Sequence, residues 1–285
     1  MTHLDISVGS HASHAIPIIR TIRMADLKDA LAKGIEDFWA VPTHAIFLCI
    51  IYPVAALVLA QLTLNNNLLH LFFPLAAGFA LIGPVAALGL YELSRRRELG
   101  LDLSWTHVFG VRHSLSIGGI LALGMLLVVI FLVWVAAAQG IYVANFGYAP
   151  PESISNFLRQ VFTTPEGWTL IVVGNGVGFL FAVLVLMICV VSFPLLLDRE
   201  VSAAVAVLTS VRVVLRNPVT MTMWGLVVAG LLLIGSLPLF IGLAVVMPVL
   251  GHSTWHLYRK EVEPDRARLT SLIGMPSRSR LVAGV

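Results

Sequence analysis

The run from Val219 to Leu250 reads VTMTMWGLVVAGLLLIGSLPLFIGLAVVMPVL and holds no charged residue. One crossing of a hydrocarbon core ~30 Å thick takes about 20 residues, so this run is too long for one helix. It carries its own break at Gly235-Ser236-Leu237-Pro238, where proline removes a helix hydrogen bond and glycine permits a tight turn. The run therefore divides into a span over about Val219 to Ser236 and another over about Leu239 to Tyr258. Four further apolar stretches precede it, about His44–Leu64, Leu68–Tyr91, Leu115–Gln139 and Trp168–Leu197, with Asn65-Asn66-Asn67 as the turn between the first two.

Charge placement tests the division. Of the 18 Lys and Arg, 17 fall in segments that share one side of a membrane if the chain crosses six times; only Arg159 lies on the other. The inner set comprises Arg20, Arg23, Lys28 and Lys33, then Arg95, Arg96, Arg97 and Arg112, then Arg199, Arg212 and Arg216, and finally six residues of the tail from Arg259 to Arg280. Five spans would put the tail charges outside, against the positive-inside rule. Composition agrees with lipid as the main solvent: 58% of the 285 residues are hydrophobic and 12% charged, where a soluble domain carries roughly 25%. The net charge of +3 does not indicate nucleic-acid binding, because the basic residues flank apolar spans and form no basic domain. The two cysteines, Cys49 and Cys189, lie inside spans and read as small buried hydrophobes. The first 43 residues lack a secretory apolar core.

The expected fold is all-α: a polytopic membrane protein with six transmembrane helices as three hairpins, each preceded by a cytoplasmic amphipathic helix. In the first such helix Leu27, Ala30, Leu31, Ile35, Phe38 and Trp39 recur at helical spacing, with Asp26, Lys28, Asp29, Lys33, Glu36 and Asp37 opposite. Leu101, Trp105, Val108 and Phe109 mark the second, and Val201 to Leu215 the third, ending at the cap-and-start signal Asn217-Pro218. Pro84, Pro194 and Pro248 stand near the inner ends of the even-numbered spans, in keeping with a weak threefold repeat. The expected division is a disordered cytoplasmic arm over 1–20, the membrane domain over 21–262 and a cytoplasmic tail over 263–285. Within the outer loop, Ile154, Phe157, Leu158, Val161 and Phe162 predict a helix that lies on the membrane surface or docks a partner, with Thr164-Pro165 ending it and capping the fourth span.

No Asp, Glu, Lys or Arg falls inside any of the six spans. Such residues cost at least about 2.5–3.5 kcal/mol and mark ion paths, so their absence argues against a pump driven by protons or sodium at a midplane site. Asn175, within Gly174-Asn175-Gly176-Val177-Gly178, is the most polar intramembrane residue; the Gly174–Gly178 pair favours close helix approach and the amide a hydrogen bond across it. The densest polar cluster is Gly251-His252-Ser253-Thr254-Trp255-His256-Leu257-Tyr258-Arg259. His252 and His256 share a helix face at metal-ligand spacing, with Glu92, His107, His113 and Asp198 at the same level, while Trp255 and Tyr258 suit an interfacial or interaction cluster. Glu92 with Arg95 or Arg96, and Asp198 with Arg199 or Arg212, read as structural pairs. There is no phosphate loop, no Gly-x-Ser-x-Gly elbow and no Cys-x-x-Cys, so the residues name neither a catalytic group nor a cofactor.

The run Phe193-Pro194-Leu195-Leu196-Leu197-Asp198-Arg199, with Arg216-Asn217-Pro218, Trp224-Gly225-Leu226, Pro248-Val249-Leu250-Gly251-His252 and Trp255-His256-Leu257-Tyr258-Arg259, resembles a family of uncharacterised bacterial integral membrane proteins, a domain of unknown function. The resemblance covers about residues 20–262. Some members carry a cytochrome c oxidase subunit label; haem–copper chemistry needs several intramembrane histidines, and spans three to five hold none. The expectation is an inner-membrane protein with both termini cytoplasmic, in contact with the lipid bilayer and a larger membrane complex, and non-enzymatic. A transporter or channel for a neutral or lipid-like solute, and a metal- or haem-binding redox subunit, are the alternatives.

Overall fold

The computed structural model describes residues 17–40, 50–65, 68–79, 83–103, 116–151, 153–238 and 240–263. Among them the regular structure is helical, with one isolated antiparallel bridge between Ile19 and Val262. In chain order the helices are α1 (Met24–Ala40), α2 (Ile51–Asn65), α3 (Phe72–Phe79), α4 (Gly83–Ala86), α5 (Leu88–Glu98), α6 (Ile117–Phe146), α7 (Ile154–Thr163), α8 (Pro165–Cys189), α9 (Ser192–Asp198), α10 (Ala203–Arg216), α11 (Pro218–Ser236) and α12 (Leu243–Glu261). The readings that rest on Trp105, Val108, Phe109, His107, His113 and the tail beyond residue 263 lie outside the described residues.

Among the described residues, three stretches are long and apolar enough to cross a membrane: α6, the α8–α9 stretch and α11. Their apolar side chains turn outward. Leu121, Met125, Leu132 and Val133 on α6, Val172, Phe179 and Leu180 on α8, and Leu226, Leu233 and Ile234 on α11 are all exposed. A helix with a leucine-rich exterior needs lipid as solvent.

Local chemistry explains the ends. The Thr164 hydroxyl accepts from Gly167 N at 3.1 Å and Pro165 opens α8, as the Thr-Pro pair implies. Pro194 has no N–H to donate to Val190, and the helix breaks at Val190–Val191 between α8 and α9. The Val191 amide freed there donates to Ser210 Oγ of α10 at 3.2 Å. The run 219–250 also breaks where its glycine and proline predict: α11 ends at Ser236, and α12 folds back on it. A Cβ on Gly242 would sit 2.8 Å from the Gly235 carbonyl, so only glycines allow that turn. In the described parts of the stretch 68–91, expected as one helix, a single 3₁₀ turn (Leu69–Leu71) leads into α3 and a turn at Ala87 separates α4 from α5, which continues past the stretch to Glu98.

The packed core gathers at one end of the molecule. Trp224, Trp255, Tyr258, Phe193, Leu195, Leu196 and Leu257 are buried there, where α1, α5, α9, α10 and α12 meet. α1 runs closely along α12: a Cβ on Gly34 would lie 2.0 Å from Ser253 Oγ and 2.6 Å from its backbone nitrogen. Residues 17–23 pack beside the end of α12. Arg20 N donates to the Glu261 carbonyl at 2.8 Å and Glu263 N to the Ile18 carbonyl at 3.0 Å.

Candidate functional site

Asp37, in the last turn of α1, organises the polar centre of this core. A carboxylate is disfavoured at a helix C-terminus by the macrodipole and disfavoured again by burial. Three donors from two other helices offset both costs. Ser94 Oγ of α5 donates to Asp37 Oδ2 at 2.5 Å, His256 Nε2 of α12 to the same oxygen at 2.8 Å, and Arg97 Nη1 of α5 to Oδ1 at 2.5 Å. Burial alone would raise the Asp37 carboxyl. The hydrogen bonds from His256 and Ser94, with the charges of both histidines, outweigh it and hold the group below the usual carboxylate range.

His252 completes the chain of contacts, its Nδ1 lying 2.7 Å from Ser94 Oγ. Ser94 has one proton, and Asp37 takes it, so His252 Nδ1 is the donor in that bond. The opposite nitrogen, Nε2, is buried without a hydrogen-bond partner among the described residues. The arrangement is not a hydrolytic triad. His252 does not stand between the serine and the carboxylate, and Ser94 is buried with its proton committed. Among the described residues no three or more His, Cys, Asp or Glu are grouped to hold a metal ion.

The other anticipated residues surround this node. Glu92 is buried and takes a two-point contact from Arg95, Nε at 2.8 Å and Nη2 at 3.0 Å. Trp255 Nε1 donates to Glu98 at 3.2 Å, and Arg259 reaches the same carboxylate at 3.0 Å. Tyr258 donates to Asp198 at 2.7 Å, with Arg199 and Arg259 at 3.7 and 3.6 Å. Asn175 lies apart from all of these; its amide donates to the Ile171 carbonyl of its own helix and is exposed. Three residues on in the same helix, less than one turn away, Gly178 faces Trp134 of α6, where a Cβ would stand 3.1 Å away. A cavity of about 400 Å³ opens beside the node, lined by Lys33, Asp37, Ser94, Arg97, His256 and Lys260 among others.

Sequence reading sets Asp37 on the solvated face of α1, whereas it is 4% exposed; Ile35 and Trp39, set on the packed stripe, are exposed. The signal for Asp37 is its spacing from Ala30 and Gly34, two small buried residues on the same face. Asn217 also departs from expectation. α11 starts after it, yet its side chain makes no cap. It accepts from Ile22 N at 2.9 Å and donates to the Arg20 carbonyl at 3.2 Å, tying the 17–23 segment to the α10–α11 corner. Glu261, fully buried, has both carboxyl oxygens without partners among the described residues, and burial pushes its carboxyl well above the usual range.

No curated protein and no solved structure matches the chain. The family match is shorter than the 20–262 over which the resemblance extends: it includes Phe193 to Asp198 and stops before the His252–Tyr258 run. Residues 72–198, from α3 through α9, are similar to a family whose model is described as a predicted integral membrane protein (DUF2189), a match that spans less than half of the chain.

Proposed function

We propose that the chain is a six-span inner-membrane protein with both termini cytoplasmic, whose role is structural: a non-enzymatic accessory component of a membrane complex. Three hairpins, each led by an amphipathic inner helix, form its membrane domain, with α1 and α10 as two of those helices. One observation carries the structural reading. The chemistry at the inner node is consumed internally, because Asp37, Ser94 and His256 bond to one another and Glu92, Glu98 and Asp198 are all held by arginines. A reactive centre keeps its base or nucleophile approachable by substrate. Here the groups lock three helices together. The placement of 17 of the 18 basic residues supports the six-span orientation. The test is gentle extraction of a C-terminally tagged chain from its native membrane, followed by native mass spectrometry. An accessory component co-purifies in stoichiometric amount with a larger assembly; a clean monodisperse isolate argues against the proposal.

A further inference from the structure

The helix between the two longest candidate spans has three faces, of which protein and water account for two. α7 is fixed firmly to its neighbours. Ser153 caps its start by accepting from Asn156 N at 3.2 Å, and Thr164 closes its end by donating to the Gln160 carbonyl at 2.9 Å. α8 presses against it at Gly167, where a Cβ would lie 2.4 Å from the Gln160 and Val161 carbonyls. Phe157 packs its ring on Tyr142 and Phe146 of α6 at 6.3 and 6.2 Å, and Val161 is buried. That is the protein side. Asn156, Arg159 and Thr163 make the polar side, with Arg159 bonded to Asn156 at 3.0 Å.

Between them lie Ile154, Leu158 and Phe162, 50%, 48% and 60% exposed. Steps of four residues advance about 40° each, so the three occupy a sector roughly 80° wide. α7 is too tightly clamped for this sector to turn inward. Its level in the membrane follows from α8. The lipid-facing side chains of α8 run from Trp168 to Leu184, about 24 Å of helix, most of the ~30 Å hydrocarbon core. α7 abuts α8 at Gly167, one residue before that run begins. The exposed sector is therefore continuous with the lipid-facing surface at its rim, beside Trp168, an aromatic type that favours that depth.

We propose that α7 is an interfacial anchor whose Ile154–Leu158–Phe162 face seats in the boundary between headgroups and acyl chains, its occupant being bilayer lipid. This rests on α6 and α8 crossing the membrane and is independent of which end faces the cytoplasm.

The test uses the full chain in liposomes, with Cys49→Ala and Cys189→Ala as background and a nitroxide at one introduced cysteine. Leu158→Cys, Phe162→Cys, Arg159→Cys and, as a lipid-facing reference, Val172→Cys are compared for collision with oxygen and with a water-soluble nickel chelate. Labels at 158 and 162 should favour oxygen, nearer to 172 than to 159, which should favour the chelate. Labels at 158 and 162 open to the chelate while 172 stays in lipid would overturn the anchor. Shielding of 158 and 162 from both reagents would overturn it in favour of a protein occupant. A label at 172 that reads as water would overturn the crossing itself.

Discussion

Replacing Asp37 with alanine removes the acceptor that three side chains share. Ser94 and His256 are buried or nearly so, and each donates to a carboxylate, a bond worth about 1.5–3 kcal/mol. Arg97 is 39% exposed along its side chain, so water replaces its partner and its share is at most about 1 kcal/mol. Ser94 recovers part of its loss by turning to His252 Nδ1, which is 2.7 Å away, as the His252 proton moves to Nε2. The net cost is then roughly 3–5 kcal/mol, the range expected for breaking a buried ionic contact. At about 2–4 °C per kcal/mol, D37A should melt roughly 6–20 °C below the wild type in detergent. Asp37→Asn, which keeps one acceptor, should lose about half as much. Combining Asp37→Ala with His256→Ala should cost less than the sum of the two, since they share one bond. A melting point within about 2 °C of wild type for D37A would refute the reasoning.

Three further predictions concern other joints of the inner core. Gly34→Ala drives a methyl into Ser253 Oγ and its backbone and should destabilise by about 1–3 kcal/mol; Ser253→Ala should fail to rescue it, because Ser253 N and Cα at 2.6 and 2.9 Å remain, and urea titration of the pair checks this. Asn217→Ala frees the buried Ile22 amide and the Arg20 carbonyl, at a cost of roughly 2–4 kcal/mol, and trypsin should then cut faster at Arg20 and Arg23. Glu261→Leu should stabilise the fold at neutral pH. The Glu261 carboxyl is raised in the folded state, so its contribution is fully present below about 4.3 and is lost as pH rises toward the folded value. The melting-point gain of the variant should therefore grow with pH from about 4.3 upward; a gain that shrinks would contradict the buried, unpartnered carboxyl. Asp37 carries the opposite sign, its contribution being present above about 3.9 and lost as pH falls below it.

The residues that sequence reading interprets correctly act through their own neighbours. Thr164-Pro165 starts a helix because its hydroxyl reaches an amide three residues on, and Gly235 with Pro238 turns the chain through close backbone approach and a missing donor. Tyr258 and Trp255, expected as an interfacial or interaction cluster, are buried, with their polar atoms donating to Asp198 and Glu98. Asp37 and Asn217 escape because their roles depend on partners far away in the chain. His256 is 219 positions from Asp37, and Ile22 is 195 from Asn217. Periodicity alone puts an aspartate on the wet face of a helix and an asparagine before proline at a cap. The α8–α9 break falls inside the stretch 168–197 expected as one span: Pro194 lacks the donor, and the Ser210 hydroxyl that accepts the freed amide comes from another helix.

The proposed orientation underlies the proposed function, since under it the Asp37 node and its cavity face the cytoplasm. Its most direct test is a pair of reporters fused in turn after Val285, a fluorescent protein that matures only inside and a phosphatase active only outside. The account predicts fluorescence without phosphatase activity. Phosphatase activity without fluorescence would contradict it, and with it the reading of 219–250 as a hairpin.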